Sequence, residues 1–177
     1  THPLLDAFTV YGTQLLLPFS DYPVGLGSIF IIDPLYTVPL LVGVIAACWL
    51  QGKAPHRAAR WNAAGLVASS AYLAWSLLAQ WQVGSVVERT ATAMNLDGAR
   101  TLVTPTPFNT LIWRVVVMTD DAYYEGFRSM LDQSDTVTLQ RHAHDPALLA
   151  SVRDDWNVRR LAWFSKGFYA VREVDAA

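Results

Sequence analysis

The first residues of the chain carry two side chains of types that bind metals. His2 and Asp6 lie four positions apart in the sequence THPLLD, so on a helix they share one face, with Cβ atoms about 6 Å apart. Pro3 suits the first turn of such a helix. An imidazole and a carboxylate on one face can bind a divalent metal such as zinc from one side. The same spacing is also typical of a surface hydrogen bond between the two side chains.

Two further carboxylates follow at Asp21 and Asp33. Asp33 stands at the mouth of a long apolar segment, where a charge is costly unless it is paired, solvated or functional. The pair Asp33-Pro34 predicts a helix N-cap followed by proline at the first helical position, and a ligand or catalytic role for Asp33 is compatible with that cap. Asp21, in the segment PFSDYP, is predicted to be a loop carboxylate, with a role in a site as the alternative.

A third group of possible ligands lies near the carboxy terminus, where His142, His144 and Asp145 form an H-x-H-D pattern. The pattern could bind a metal, but its position in a polar connection favours a solvated loop. The chain contains no nucleophile elbow, P-loop or dinucleotide-binding glycine pattern. Catalytic hypotheses are therefore confined to the amino-terminal carboxylates and His2.

Charged residues divide the chain into two parts. Residues 1–83 contain six of them and residues 84–177 contain 22, while the mean hydropathy of the whole chain is +0.24. The net charge of −2, without a basic stripe, argues against nucleic-acid binding. The first part has the composition of a membrane protein, and the second that of a small soluble domain.

Two uncharged stretches have the length of membrane spans. The first, PLYTVPLLVGVIAACWL, runs from Pro34 to Leu50 and grows to 22 residues when Ile29 to Asp33 are added; the second is Ala63 to Val83. Roughly 20 residues at about 1.5 Å each cross a hydrocarbon core of about 30 Å. A pair of buried helices in a soluble bundle is the alternative. Small residues would let the two helices pack closely; these are Gly43, Gly65, Ala68, Ser69 and Ser70.

The sequence therefore predicts an α-helical membrane hairpin of two transmembrane helices, followed by a small α+β soluble domain. Residues 1–33 form an amphipathic motif segment, residues 34–83 the hairpin with its basic loop at 51–60, and residues 84–177 the α+β domain. The loop contains three basic and no acidic residues, which is typical of a cytoplasmic loop. The domain is then expected on the outer side, and membrane lipid is an expected partner.

The α+β domain is predicted from the pattern of apolar and β-branched residues. Expected strands are 111–118, 122–130, 136–141 and 168–174, and expected helices are 145–156 and 158–164. Arg114 and Arg128, on neighbouring strands, are expected to face each other or to pair with Asp120 and Glu125. The aromatic residues of YYEGF and WFSKGFY are expected in the core or at an interface.

Two long blocks, HPLLDAFTVYGTQLLLPFSD and SIFIIDPLYTVPLL, resemble the family of membrane-bound metal-dependent hydrolases, also described as LexA-binding and inner-membrane-associated. The resemblance covers residues 1–50. The later blocks PTPFNTLIWRVV and WFSKGFYAV are similar to members with an extra carboxy-terminal domain.

The resemblance implies a bacterial inner-membrane location, with residues 84–177 on the periplasmic side, and metal-dependent hydrolysis of an ester or phosphoester. Thr1, His2, Leu5 and Asp6 match the family's Thr-His-x-x-Leu-Asp motif. His2 and Asp6 would be metal ligands, with Asp33 or Asp21 as a further ligand or general base.

The family's upstream His-Arg-Gly-x-Thr-His-Ser-like motif is not in this sequence, so we expect a fragment that holds part of the site. The alternative function is a non-catalytic membrane protein that presents the α+β domain to a protein partner. The resemblance suggests LexA as such a partner, although association with LexA would need a cytoplasmic surface.

Overall fold

The structure, a computed structural model, describes residues 2–172 and confirms the combination of helices with an α+β domain. The strands form one four-stranded antiparallel sheet in which each strand pairs with the next one along the chain. The helices are α1 (His2–Asp6), α2 (Pro34–Leu50), α3 (Pro55–Ala93) and α4 (Trp156–Phe164). The strands are β1 (Arg100–Pro105), β2 (Ile112–Met118), β3 (Ala122–Ser129) and β4 (Gln140–Ala143).

Helices α2 and α3 form an antiparallel hairpin. Helix α2 begins where the sequence predicted, because the Leu35 amide donates to Asp33 Oδ1 at 3.0 Å and Pro34 occupies the first turn. The chain reverses over residues 51–54, where the Ala54 amide donates to the Leu50 carbonyl at 2.7 Å. Pro55 then begins α3.

The two helices approach most closely at glycine. A methyl group on Gly65 would lie 2.5 Å from the carbonyl oxygen of Pro39 in α2, and one on Gly43 would lie 3.0 Å from a carbonyl of α3. Gly43, Gly65 and Ser69 are buried between the helices as predicted, whereas Ala68 and Ser70 are exposed. The contact between the helices therefore uses three of the five small residues, and Ala68 and Ser70 lie outside it.

By length and composition, the structure supports one of the two predicted transmembrane helices. Among the described residues, only α3 is long and apolar enough to cross a membrane by length and composition. Helix α2 has 17 residues, or about 25 Å at roughly 1.5 Å per residue. Its bounds are those of the first predicted span, and Ile29 to Asp33, which lengthen the apolar stretch in the sequence, are not helical.

The carboxy-terminal half of α3 supplies one side of the core of the α+β domain. We call it the outer half of α3, and the amino-terminal half the inner half. Helix α3 has 39 residues, about 58 Å at roughly 1.5 Å per residue, and continues unbroken past Val83. Its residues Ala79, Val83, Val86 and Val87 pack with Trp113, Val115, Val117 and Val137 of the domain. The sheet therefore closes its core on the same helix that pairs with α2.

The two central strands agree with the sequence prediction. Strands β2 and β3 pair in an antiparallel register that places Val116 opposite Glu125, and Arg114 Nε donates to Glu125 Oε1 at 2.6 Å. Arg128 instead donates to backbone carbonyls between β3 and β4. Strand β4 overlaps only the end of the expected strand 136–141, and β1 was not predicted. Pro105 ends β1 without disturbing the sheet because β1 is an edge strand.

Two predicted elements near the carboxy terminus are wrong. The expected helix 145–156 is a short 3-10 turn, Pro146–Leu149, because its apolar face finds no core: Leu148 and Val152 are both exposed. Residues 168–172 are not a strand. They meet the 3-10 turn through one backbone bond, from the Asp145 amide to the Val171 carbonyl, rather than through a ladder. The end of that expected strand, 173–174, lies outside the described residues.

We predict that Gly65→Ala destabilises the hairpin by about 1–3 kcal/mol, because the added methyl group must push α2 away from α3. The matched control is Gly84→Ala in the same helix, where nothing lies within 4 Å of the added carbon. That change should be neutral or stabilising by up to about 1 kcal/mol, since alanine favours a helix. Unfolding in detergent by SDS titration, followed by circular dichroism, measures both; equal destabilisation would contradict the close contact.

Candidate functional site

Four polar side chains on one face of α3 hold the segment that precedes and begins α2. Ser69, Tyr72, Ser76 and Gln80 are spaced three or four residues apart, so they lie in a line along the helix. The Ser69 hydroxyl donates to the Tyr36 carbonyl at 2.7 Å. We call these four residues the polar ladder.

The outer rungs of the polar ladder bind residues 26–33. The Tyr72 hydroxyl donates to Asp33 Oδ2 at 2.8 Å, and the Ser76 hydroxyl donates to Ser28 Oγ at 3.1 Å. The side-chain amide of Gln80 contacts three carbonyl oxygens, at 2.7 Å, 3.2 Å and 2.9 Å; they belong to Leu26, Gly27 and Val103. The polar ladder thus fixes the positions of the amino-terminal segment and of strand β1 along α3.

Asp33 lies inside this ladder with only 2% of its surface exposed. One carboxylate oxygen accepts from the Leu35 amide, and the other accepts from the Tyr72 hydroxyl. The predicted helix cap is confirmed. A catalytic role for Asp33 stays a prediction, although both of its oxygens already serve to fix α2 against α3.

His2 and Asp6 come together as their spacing predicted. In α1, His2 Nδ1 lies 3.0 Å from Asp6 Oδ2, and the two side chains are 86% and 42% exposed. This is the geometry of a hydrogen bond at the surface. The imidazole and the carboxylate are also two side chains of the kinds that bind zinc. Zinc centres use three or four protein ligands, and within residues 2–172 no three His, Cys, Asp or Glu side chains group together. The pair fits a metal in kind but not in number.

The other predicted ligands have structural contacts. Asp21 is exposed in a loop, where its carbonyl accepts from the Gln14 side chain at 3.0 Å. The ring of His142 stacks on Tyr123 with centroids 4.8 Å apart, and His144 Nδ1 accepts from the Val171 amide at 3.1 Å. Asp145 caps the 3-10 turn. The expected solvated loop is therefore wrong for His142, which lies in strand β4 and pairs with Tyr123, whereas His144 and Asp145 follow the strand as a connection.

A cavity of about 290 Å³ between the amino-terminal segment, β1 and α4 was not predicted. It is lined mainly by apolar and aromatic side chains, and among the described residues that line it Lys166 is the charged one. Lys166 Nζ donates to the Gly25 carbonyl at 3.3 Å and lies 5.8 Å from the centre of the Tyr22 ring. Burial lowers the pKa of Lys166. The sequence WFSKGFY contains one wall of this cavity, with Phe164 and Phe168 in the lining. The opposite wall comes from residues some 140 positions earlier in the chain, so no local pattern reveals the cavity.

We predict that Asp33→Ala destabilises the protein by about 2–4 kcal/mol, because it removes a helix cap and leaves the Tyr72 hydroxyl without its acceptor. Tyr72→Phe should cost about 1 kcal/mol, and the double variant should cost less than the sum of the two single changes. Asp21→Ala, in the exposed loop, is the control and should change little. Additive effects, measured by SDS titration, would show that the two side chains do not interact.

Comparison with known proteins supports a membrane location for the amino-terminal part. A protein of Bacillus subtilis (strain 168) described as "Uncharacterized protein YfhP" is 27% identical over 192 aligned residues, which cover 98% of this chain and 54% of that protein. The chain therefore spans about half the length of the curated relative it matches. No solved structure matches the chain. Residues 1–83, which include α1, α2, the polar ladder and most of α3, match the family described as YdjM inner membrane protein, and this similarity supports association with the inner membrane.

Proposed function

We propose that this chain is a bacterial inner-membrane anchor that holds an α+β domain at the membrane surface for a protein partner. The hairpin of α2 and the inner half of α3 crosses the bilayer, and the outer half of α3 leaves the bilayer as the core helix of the domain. The observation that carries this proposal is the change in burial along α3.

Helix α2 and the inner half of α3 expose apolar side chains on the surface that faces away from the helix–helix contact. Val42, Ile45, Leu66 and Val67 are each about half exposed or more. In the most apolar 18-residue stretch of α3 only 22% of the residues are buried, whereas a core helix of a soluble protein is mostly buried. A hairpin with this surface is stable when lipid covers it, because each apolar side chain left in water forgoes about 1.5–3 kcal/mol.

The hairpin crosses the bilayer even though α2 has only 17 residues. That length is at the lower limit for a membrane-spanning helix, and a short span is accommodated by local thinning of the bilayer. Lys53 lies in the turn between the helices, whereas Arg57 and Arg60 lie at the start of α3, because residues 55–60 of the expected loop 51–60 are helical. The positive-inside rule assigns this basic end of the hairpin to the cytoplasm. The α+β domain and the amino-terminal segment then lie on the periplasmic side.

We predict that cysteines introduced by Phe19→Cys and Asp120→Cys label from the periplasmic side, while Gly52→Cys labels only after the inner membrane is opened. All three positions are exposed, and Cys48→Ala removes the native thiol. A membrane-impermeant maleimide on spheroplasts and on opened cells gives the measurement. If Phe19→Cys behaves like Gly52→Cys, α2 does not cross the membrane, and if all three label alike, the hairpin is wrong.

A second candidate function is metal-dependent hydrolysis, favoured by the His2–Asp6 pair and by the family resemblance of residues 1–50. His2 and Asp6 would hold two positions of a divalent metal, which when bound lowers the pKa of a coordinated water and polarises an ester or phosphoester oxygen. The residues described here supply two ligands, so we derive no reaction step from them.

We predict that Asp6→Asn weakens zinc binding and phosphoester hydrolysis more than Asp21→Asn does. Asp6 is held beside His2 by helix α1, as a metal ligand requires, whereas Asp21 is exposed in a loop. The measurements are calorimetric titration with zinc chloride and hydrolysis of p-nitrophenyl phosphate, both on the protein in nanodiscs. A larger effect at Asp21, or unchanged zinc binding in Asp6→Asn, would mean that the carboxylates are wrongly assigned.

A further inference from the structure

The outer end of the hairpin is surrounded by exposed apolar side chains from two separate parts of the chain. Some belong to the segment that leads into α2 and to the first turn of α2, and others to the loop between β1 and β2 and to the first residue of β2. All are between 45% and 65% exposed. We call this set the apolar collar; its members are Ile31, Ile32, Leu35, Phe108, Leu111 and Ile112.

Direct contacts place both parts of the collar at one level of α3. Tyr72 binds Asp33 at 2.8 Å, next to Ile32, and Trp75 Nε1 donates to Thr110 Oγ1 at 3.2 Å in the β1–β2 loop. The rings of Phe30 and Phe108 meet edge to face, with centroids 5.4 Å apart. Since Tyr72 and Trp75 are one turn apart, the loop stands beside the first turn of α2, where the hairpin leaves the bilayer.

The side chain of Asn109 binds several groups of the β1–β2 loop. The side-chain oxygen of Asn109 accepts from the amides of Leu111 and Ile112, both at 2.9 Å. Its side-chain nitrogen donates to Thr106 Oγ1 at 3.0 Å and to the Pro107 carbonyl at 3.1 Å. Backbone groups must be satisfied internally where lipid replaces water, and the Asn109 side chain satisfies three of them, the amides of Leu111 and Ile112 and the carbonyl of Pro107.

The tip of the same loop exposes its largest apolar side chain. Phe108 has a φ of +67°, a conformation that bulky residues rarely adopt and that marks strain worth explaining. Residues 106–113 contain no charged side chain, so charge does not oppose contact with lipid. Beyond its edge contact with Phe30, the Phe108 ring is more than half exposed, and lipid would cover this apolar surface.

We propose that the apolar collar lies in the bilayer interface and that the β1–β2 loop is a second, non-spanning membrane contact. The occupant of the collar is lipid, because its apolar surface is continuous with the lipid-facing surface of the hairpin. This inference rests on the proposed crossing of the hairpin. It adds that the domain is not merely tethered to the membrane but seated on it through Phe108 and Leu111.

The test uses an environment-sensitive fluorophore, NBD, on single cysteines in a Cys48→Ala background, with the protein in nanodiscs. Phe108→Cys reports the loop tip, Asp120→Cys reports the turn at the opposite end of β2, and Ile45→Cys reports the hairpin. Replacing the lipids by ones brominated near the headgroup should quench emission at position 108 and leave position 120 unchanged. Position 45 should be quenched by lipids brominated deeper in the chains.

The outcomes separate the two proposals. Quenching at position 45 without quenching at position 108 overturns the seated loop and leaves the hairpin intact, and no quenching at either position overturns both. A blue shift at position 108 without bromine quenching means that protein, such as a second copy of the chain, covers the collar instead of lipid. Because Phe108→Cys also changes the strained residue, Leu111→Cys repeats the measurement with Phe108 in place and should give the same quenching.

Discussion

Helix α3 has to satisfy two different surroundings along one continuous length. Its inner half pairs with α2 and leaves side chains such as Leu66 and Val67 uncovered, while its outer half buries Val83 and Val87 under the sheet. Because α3 is continuous, with no hinge between these halves, it fixes the orientation of the sheet relative to the hairpin. The position of every other helix and strand near α3 follows from which half of α3 it contacts.

Apolar packing alone would not fix where the amino-terminal segment lies along α3, because small apolar surfaces can slide past each other at little cost. The polar ladder removes that freedom, since each rung has a partner at one height only. Tyr72 binds Asp33, and Ser76, which comes later in the chain, binds Ser28, which comes earlier. The amino-terminal segment therefore runs antiparallel to α3. Between apolar elements such hydrogen bonds supply direction and register rather than large net stability.

Local patterns predicted local features well. The start of α2 followed from Asp33-Pro34, the strands β2 and β3 followed from their β-branched residues, and the approach of His2 to Asp6 followed from their spacing. The helix expected after Asp145 failed because an amphipathic pattern needs a core to cover it, and none is near. The rungs of the polar ladder are visible in the sequence as a polar stripe in the uncharged stretch 61–87 of α3. Their partners are carbonyl groups and side chains that no local pattern reveals.

The sharing of α3 also imposes an order on biogenesis. The ribosome releases α2 and α3 before any strand of the sheet, and domains are generally completed from the amino terminus onwards. The apolar wall formed by Ala79, Val83 and Val87 must then wait uncovered until β2 has been made. In the proposed topology, insertion of the hairpin precedes closure of the sheet, and the strands fold onto a helix that the membrane already holds in place.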